Sequence, residues 1–249
     1  VPPRFFAPEL TAASADVTLP IGESTHLARV LRLREGDAVE VFDGRGVLRE
    51  GTVLRAAPGG SVVAIGAARE AAPEPPAPIV IAQGLLKGDA MDAVVRDATV
   101  LGATAIWPMS TSRTNVPVRS AHAAHDRWQR VAVAAAKQCG RAVLPQIAPV
   151  RDLHDVLAAA GPEAGLRLWL TEPAVAAGER VDIPAAPRGL CLAVGPEGGW
   201  AREEVEAART AGWQPWTLAP VTLRAEHVTL AALAVVRYAW DAPGRRRIT

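Results

Sequence analysis

Val194-Gly195-Pro196-Glu197-Gly198-Gly199 is the stretch on which the reading of the fold turns. It follows the apolar run Leu190 to Val194, which reads as a buried strand. It precedes Arg202 to Ala211, which reads as a helix with acids in its first turns and Gly212 after it. Strand, glycine-rich loop and helix in that order form the repeating piece of a parallel α/β sheet. Glycines let a ligand approach the backbone closely. The helix start beyond them offers free N–H groups, and ligands of such sheets sit at the carboxyl ends of strands. A plain tight turn would use the same residues, so the loop alone leaves both readings open.

Working outward, strands and helices alternate from residue 79 onward. Ile79 to Ala82, Ala105 to Trp107 and Leu166 to Leu170 read as further strands. Asp89 to Leu101 places Met91, Val94, Val95, Ala98 and Leu101 on one helical face, with Gly102 to end it. Arg127 to Cys139 reads as a helix closed by Gly140, and Trp216-Thr217-Leu218 as a short strand. The last helix puts Val228, Ala231, Ala232, Val235, Val236 and Ala239 on one stripe. The alternation predicts a parallel sheet flanked by helices.

Before residue 71 the pattern differs. Val39 to Phe42, Gly51 to Leu54 and Ser61 to Ile65 are short runs rich in β-branched residues, and Asp43-Gly44-Arg45-Gly46 signals a hairpin turn between the first two. Such strands predict a small barrel or sandwich. The run Ala71 to Pro78, AAPEPPAP, favours an extended linker. The expected organisation is therefore a β domain at 1–70, a linker at 71–78 and an α/β domain at 79–249.

Composition excludes several classes. Hydrophobic residues make up 49% and charged residues 21% of the 249, as in ordinary globular chains. The longest apolar runs are too short to span a bilayer. Arg4 to Glu9 leads into no apolar segment, so no secretory signal is expected. Cys139 and Cys191 form no metal-spaced pair, and free thiols in a reducing, cytoplasmic setting are expected. Net charge is only +1, so RNA affinity would come from local clusters. Neither G-x-x-x-x-G-K-[ST] nor a post-strand G-x-G-x-x-G occurs, which removes the main support for an ATPase or a Rossmann dehydrogenase.

A second signal is Leu218 to Glu226, LAPVTLRAE, which opens the last helix. Glu226 suits the positive end of a helix dipole, but Arg224 gains nothing there. His122 and His125 share a helical face and are too few for a closed zinc site, so no metal is expected. His26, Arg29 and Arg32 are spaced for one face of a helix, and Arg245-Arg246-Arg247 forms a basic tail.

GPEGG after a strand, with LR-x-E about one strand later, resembles the SPOUT class of RNA methyltransferases. The chain is more closely similar to the bacterial 16S ribosomal RNA uridine-N3 methyltransferase family. Matches in order are Arg4-Phe5-Phe6, His26 to Arg32 with Gly36-Asp37, Phe42-Asp43-Gly44, Lys87-Gly88-Asp89 with Met91-Asp92, Arg113, Arg127-Trp128, and Ala136 to Arg141 with Leu144-Pro145.

The resemblance implies a PUA-like RNA-binding β-barrel followed by a SPOUT domain: an α/β fold with a knotted parallel sheet, assembled as a homodimer. It implies S-adenosylmethionine as cofactor, leaving as S-adenosylhomocysteine, and 16S ribosomal RNA or the assembled small subunit as partner. Mapped here, the cofactor loops are Leu170, Thr171 and Glu172; Val194, Gly195, Pro196, Glu197, Gly198 and Gly199; and Leu218, Ala219 and Leu223. Arg4, His26, Arg29, Arg32 and Arg113 are the implied RNA contacts. Arg224 and Glu226 are the implied catalytic pair. Glu226 is the only acid of its loop and a candidate base for the uridine N3 proton, while Arg224 suits a developing anion or a phosphate. Where the family commonly has glycine this chain has Ala219, and Val221, Thr222 and His227 also depart from its pattern. Rival readings are a SPOUT enzyme acting on a transfer RNA base or a ribose 2′-hydroxyl, and an RNA-binding homologue without catalysis.

Overall fold

A computed structural model of the chain describes residues 2–160, 165–173, 181–184 and 188–241. The basic run Arg245-Arg246-Arg247 lies outside the described residues. The chain divides into two compact units: Val1–Glu74 with Val133–Leu144, and Pro75–Ala132 with Pro145–Thr249.

The first unit is a curled five-stranded sheet in the order β1-β3-β4-β5-β2. Its strands are β1 (Arg4–Phe6), β2 (Asp16–Thr18), β3 (Ala38–Phe42), β4 (Leu48–Arg55) and β5 (Val62–Ala68). β1 runs parallel to β3, and the other pairs are antiparallel. Inward-facing Phe5, Leu10, Val17, Leu27, Val39, Val41, Val53 and Val63 form its core. The hairpin between β3 and β4 turns where the sequence predicts. The Asp43 carboxylate accepts the amides of Arg45 at 2.7 Å and Val47 at 2.9 Å, the local pairing for which aspartate is favoured in turns. Gly44 has φ +78°, and a Cβ there would meet the Phe6 ring at 2.9 Å. β1 and β2 went unread because three-residue strands carry too little alternation to recognise.

The expected helical face of His26, Arg29 and Arg32 is corrected. Helix α1 (Ile21–Thr25) passes into a π-helical turn at His26–Val30, closed by the Leu31 amide on the His26 carbonyl at 2.9 Å. The wider turn breaks the i, i+3 alignment, and Arg32 lies beyond it with φ +55°. Arg29 and Arg32 are exposed, while His26 is half-buried with its ring edge-on to Phe5.

The second unit holds an all-parallel sheet in the order β12-β10-β11-β6-β7-β8, with β9 also paired to β7. The strands are β6 (Ile79–Gly84), β7 (Ala105–Ser110), β8 (Gln146–Ile147), β9 (Arg151–Asp152), β10 (Leu166–Leu170), β11 (Leu190–Val194) and β12 (Gln214–Trp216). Helices α2 (Ala90–Val100), α3 (Val118–Cys139), α4 (Leu153–Ala159), α5 (Arg202–Thr210) and α6 (Ala225–Asp241) accompany them. The second unit takes α3 as far as Ala132, and the first takes it from Val133.

Side-chain alternation divides each central strand between two cores. On β11, Leu190, Leu192 and Val194 join Met91, Val94, Leu233 and Val236 from α2 and α6. Cys191 and Ala193 face the other way, beside Trp169, Trp213, Val156 and Ala208. Both faces are thus covered, which is why the strand reads as an unbroken apolar run.

Two elements and one helical face differ from the expectation. The short strand expected at Trp216 to Leu218 is Gln214–Trp216. The helix expected from Arg127 begins at Val118, its first turns being too polar to show periodicity. On α6 the buried stripe is Thr229, Ala232, Leu233, Val236 and Trp240, while Val235 is 45% exposed. Counting aliphatic residues alone rotates that face, because Thr229 is buried through a polar partner.

Candidate functional site

The C-terminal ends of β10, β11 and β12 open into one cleft of about 710 Å³, wholly within the second unit. Its walls come from the segments 170–173, 194–200 and 217–226, with Ala90 and Arg113 at the margins. Parallel strands all deliver their following loops to the same edge, so residues far apart in sequence meet there.

Specific bonds stitch these loops. The Thr171 amide donates to the Trp216 carbonyl at 3.0 Å, and the Thr217 hydroxyl to the Thr171 carbonyl at 3.2 Å. The Trp200 indole N–H donates to the Leu170 carbonyl at 2.8 Å. Glu197 accepts the Lys87 amide at 3.0 Å, and Arg113 donates to the Gly198 carbonyl at 3.1 Å. The buried Glu204 carboxylate accepts both the amide and hydroxyl of Ser112, at 2.7 and 2.9 Å, and the amide of Ala201 at 2.8 Å. It thereby holds the segment carrying Arg113 to the start of α5.

The glycines have separate duties. A Cβ at Gly195 would touch the Trp200 ring at 3.2 Å. Gly199 has φ +67° and faces open space with only the Glu172 carboxylate near, at 3.9 Å. Gly198 is a correction: it does not line the cleft. Its Cβ would meet Arg113 Cβ at 2.9 Å and the Arg113 carbonyl at 3.0 Å, so its small size admits the neighbouring segment.

The remaining residues expected in the cofactor loops do line the cleft: Leu170, Thr171, Glu172, Val194, Gly195, Pro196, Glu197, Gly199, Leu218, Ala219 and Leu223. Arg224 and Glu226 join them at its rim, their nearest nitrogen and oxygen 3.9 Å apart. The Arg224 side chain is 82% exposed and that of Glu226 only 21%. The carboxylate sits in the first turn of α6, where the helix dipole favours its charge. The arrangement offers one sheltered proton acceptor and one solvated cation beside a partly apolar cavity.

Arg113 is exposed and lines the same cleft. Arg29 and Arg32 belong to the first unit and are exposed there. Arg4 is a correction, since it is buried rather than presented to RNA. Its guanidinium lies 3.3 Å from Glu40, donates to the Ala136 carbonyl at 3.1 Å and stacks 5.2 Å from the Phe42 ring centre. Burial, only partly offset by Glu40, lowers its pKa. Trp200 and Thr217 are wall residues that sequence reading passed over; Trp200 directly follows the glycine run. Among the described residues, no helix is long and apolar enough to cross a membrane, and no three His, Cys, Asp or Glu side chains gather as metal ligands.

Comparison with known proteins accords with this architecture. Residues 73–237 match the family described as an RNA methyltransferase domain, and residues 22–65 the RNA methyltransferase PUA domain. A ribosomal RNA small subunit methyltransferase E from Synechocystis is 34% identical over 89% of this chain and 73% of its own. One from Mycobacterium bovis is 31% identical over 96% of this chain and 93% of its own. The crystal structure of such an enzyme from Neisseria gonorrhoeae, bound to S-adenosyl methionine, superposes with a TM-score of 0.86 at 31% identity, covering 96% of this chain and 98% of that one. The units are accordingly a PUA-like half-barrel and a SPOUT-type parallel α/β sheet.

Proposed function

The chain belongs to the ribosomal RNA small subunit methyltransferase E family, and from that premise we propose that it transfers a methyl group from S-adenosylmethionine to N3 of a uridine in 16S ribosomal RNA. The observation that carries the proposal is the meeting of three loops in one cleft with Arg224 and Glu226 at its rim.

The cleft suits the cofactor on its own geometry. Its volume of about 710 Å³ lies inside the range of about 300–1,000 Å³ usual for small-molecule sites. Leu170, Val194, Leu218 and Leu223 give it apolar walls, Gly199 leaves room beside the backbone, and Glu172 supplies a carboxylate at the edge. Bound there, the cofactor supplies an electrophilic methyl group on a sulfonium.

The chain's own residues then have three tasks. The loops 170–173, 194–200 and 217–226 fix the donor, so that alignment with the acceptor contributes much of the rate. Glu226 Oε1 takes the proton that a uridine N3 must lose as it is methylated. Arg224, solvated and 3.9 Å away, holds an RNA phosphate or the anionic base. The target base must leave any stack or pair to reach the cleft. Arg29, Arg32 and Arg113 contribute phosphate contacts. The active form is a homodimer working in the cytoplasm, and Leu230, Val235 and Tyr238, 41%, 45% and 51% exposed on α6, offer it an apolar face.

The test is methylation of ribosomal RNA from a strain lacking the modification, using radiolabelled S-adenosylmethionine and free 16S RNA or small subunits as substrate. Nuclease digestion and mass spectrometry should place label on one uridine, at N3. Label on transfer RNA or on a ribose would replace the proposed target, and cofactor binding without transfer would leave an RNA-binding protein. Sedimentation should give a dimer at micromolar concentration; a clean monomer would remove that part.

A further inference from the structure

Gln83, the penultimate residue of strand β6, carries a polar amide that is fully buried. Its amide nitrogen donates to the carbonyl of Gly84 at 3.1 Å and of Gly195 at 3.4 Å. Carbonyls only accept, so the nitrogen must face them, and the amide oxygen is left pointing to α6. There it accepts the hydroxyl of Thr229 at 2.7 Å, and Thr229 is also fully buried. Gly84 adds a second fit: a Cβ there would meet Pro196 N at 2.6 Å, so the end of β6 is the floor on which the 195–196 backbone rests. One side chain thus touches the loop that shapes the cleft and the helix that carries Glu226 one turn before Thr229.

We propose that Gln83 is a positioning residue, tying the cofactor loop at Gly195 to the α6 turn bearing Glu226 through Thr229. Neither Gln83 nor Thr229 lines the cleft, so both act through what they hold. An apolar side chain of similar size would fill the same space and contribute more hydrophobic burial; the polar pair instead fixes direction, because each bond has one geometry. Removing one partner leaves the other buried without a partner. The two ends should separate experimentally. Thr229→Val frees the helix and leaves the amide on the Gly195 carbonyl. Gln83→Met frees both.

The inference rests on the methyltransferase reading, and the experiment tests the two apart. Cofactor affinity is measured by calorimetry, kcat and KM on RNA, and amide hydrogen exchange on the free protein. Thr229→Val should lower kcat about ten- to hundredfold, as misplacement of a reacting group by about 1 Å does, with cofactor Kd unchanged within about twofold. Thr229→Ser keeps the hydroxyl and should restore kcat. Gln83→Met should weaken cofactor binding as well, and speed exchange at both 195–199 and 225–229. A Thr229→Val protein with parental kcat, or one whose lost activity matches its unfolded fraction at the assay temperature, overturns the proposal. So does faster exchange at only one segment in Gln83→Met. If Gln83→Met does not fold, the Thr229→Val and Thr229→Ser pair decides alone. A parent protein that binds no S-adenosylmethionine sinks the functional reading instead, and the exchange arm still judges the tie.

Discussion

Trp200 donates its indole N–H to the main-chain carbonyl of Leu170 at 2.8 Å, while its ring packs edge-on against Trp169 with centres 6.0 Å apart. The cleft segments 170–173 and 194–200 are therefore joined by a bond that the tryptophan ring itself orients. Trp200→Phe keeps an aromatic ring beside Gly195 but removes the N–H donor together with the second ring of the indole. The lost bond is worth about 0.5–1.5 kcal/mol, so S-adenosylmethionine should bind about three- to tenfold more weakly by calorimetry. A Kd equal to the parent's would show that this staple does not shape the cleft.

Glu226→Gln removes the proposed proton acceptor without changing its size. We expect kcat to fall about 10²- to 10⁴-fold, with cofactor affinity nearly unchanged. Arg224→Ala should act differently, because its guanidinium is solvated. KM for RNA should rise and the salt dependence of binding should lose about one phosphate contact. A fall confined to kcat would instead assign Arg224 to the reacting base.

In the first unit, Arg4 and the pair Arg29 and Arg32 should part company. Arg4→Met leaves Glu40 in a buried setting without its nearest cation, a change that costs about 3–5 kcal/mol when a buried pair is broken. Arg69, 3.8 Å from Glu40 and half-exposed, recovers some of that. Thermal unfolding should show the loss, while RNA affinity of the folded protein stays the same. The double change Arg29→Ala and Arg32→Ala should do the reverse, weakening RNA binding and flattening its salt slope. Parental RNA affinity in that double variant would remove both arginines from the interface.

Burial pushes the Cys191 thiol up to about 12 from its ordinary 9.0, with Arg167 opposing only in part. The folded protein therefore keeps this proton where the unfolded chain loses it. Below pH 9 the contribution to stability is constant; between about 9 and 12 it is lost as pH rises, because only the unfolded state releases the proton. At pH 8, Ellman's reagent should label Cys139 alone in the native protein and both thiols after denaturation. Native Cys139→Ser protein that still reacts would contradict the burial.

What could be read beforehand follows from how local each signal is. The run Leu190 to Val194, its glycine loop and the LR-x-E segment are signals of adjacent residues, and together they carry the family resemblance; the structure brings these segments to one cleft. Arg4 could not be read that way, because its burial depends on Glu40, Phe42 and Ala136, none near it in sequence. The turn at His26 hid for another reason. A π-helical turn and an α-helix share composition, and they differ in hydrogen-bond spacing, as the Leu31 amide on the His26 carbonyl shows. Gln83 was missed because apolar periodicity stops at Ala82 and assigns no role to a polar residue that a strand carries inward. The Gly198 reading failed on direction: the sequence says a side chain is missing there, but not that Arg113 fills the space.

The parallel sheet also dictates an order of assembly on the ribosome. Gln83 and its partner Gly195 are 112 residues apart, and Gln83 and Thr229 are 146 apart. At about 5–20 residues per second of synthesis, β6 waits several seconds for β11 to emerge, and longer for α6. Until then its apolar residues have no sheet neighbour on that side, and pairing across such spans is slow in itself. The curled sheet of the first unit gains two of its four strand pairs from neighbouring hairpins, and all of its strands emerge before residue 79. A growing chain would thus possess a folded N-terminal sheet before any cleft exists, and chaperone demand during translation should concentrate on the interval between residues 79 and 241.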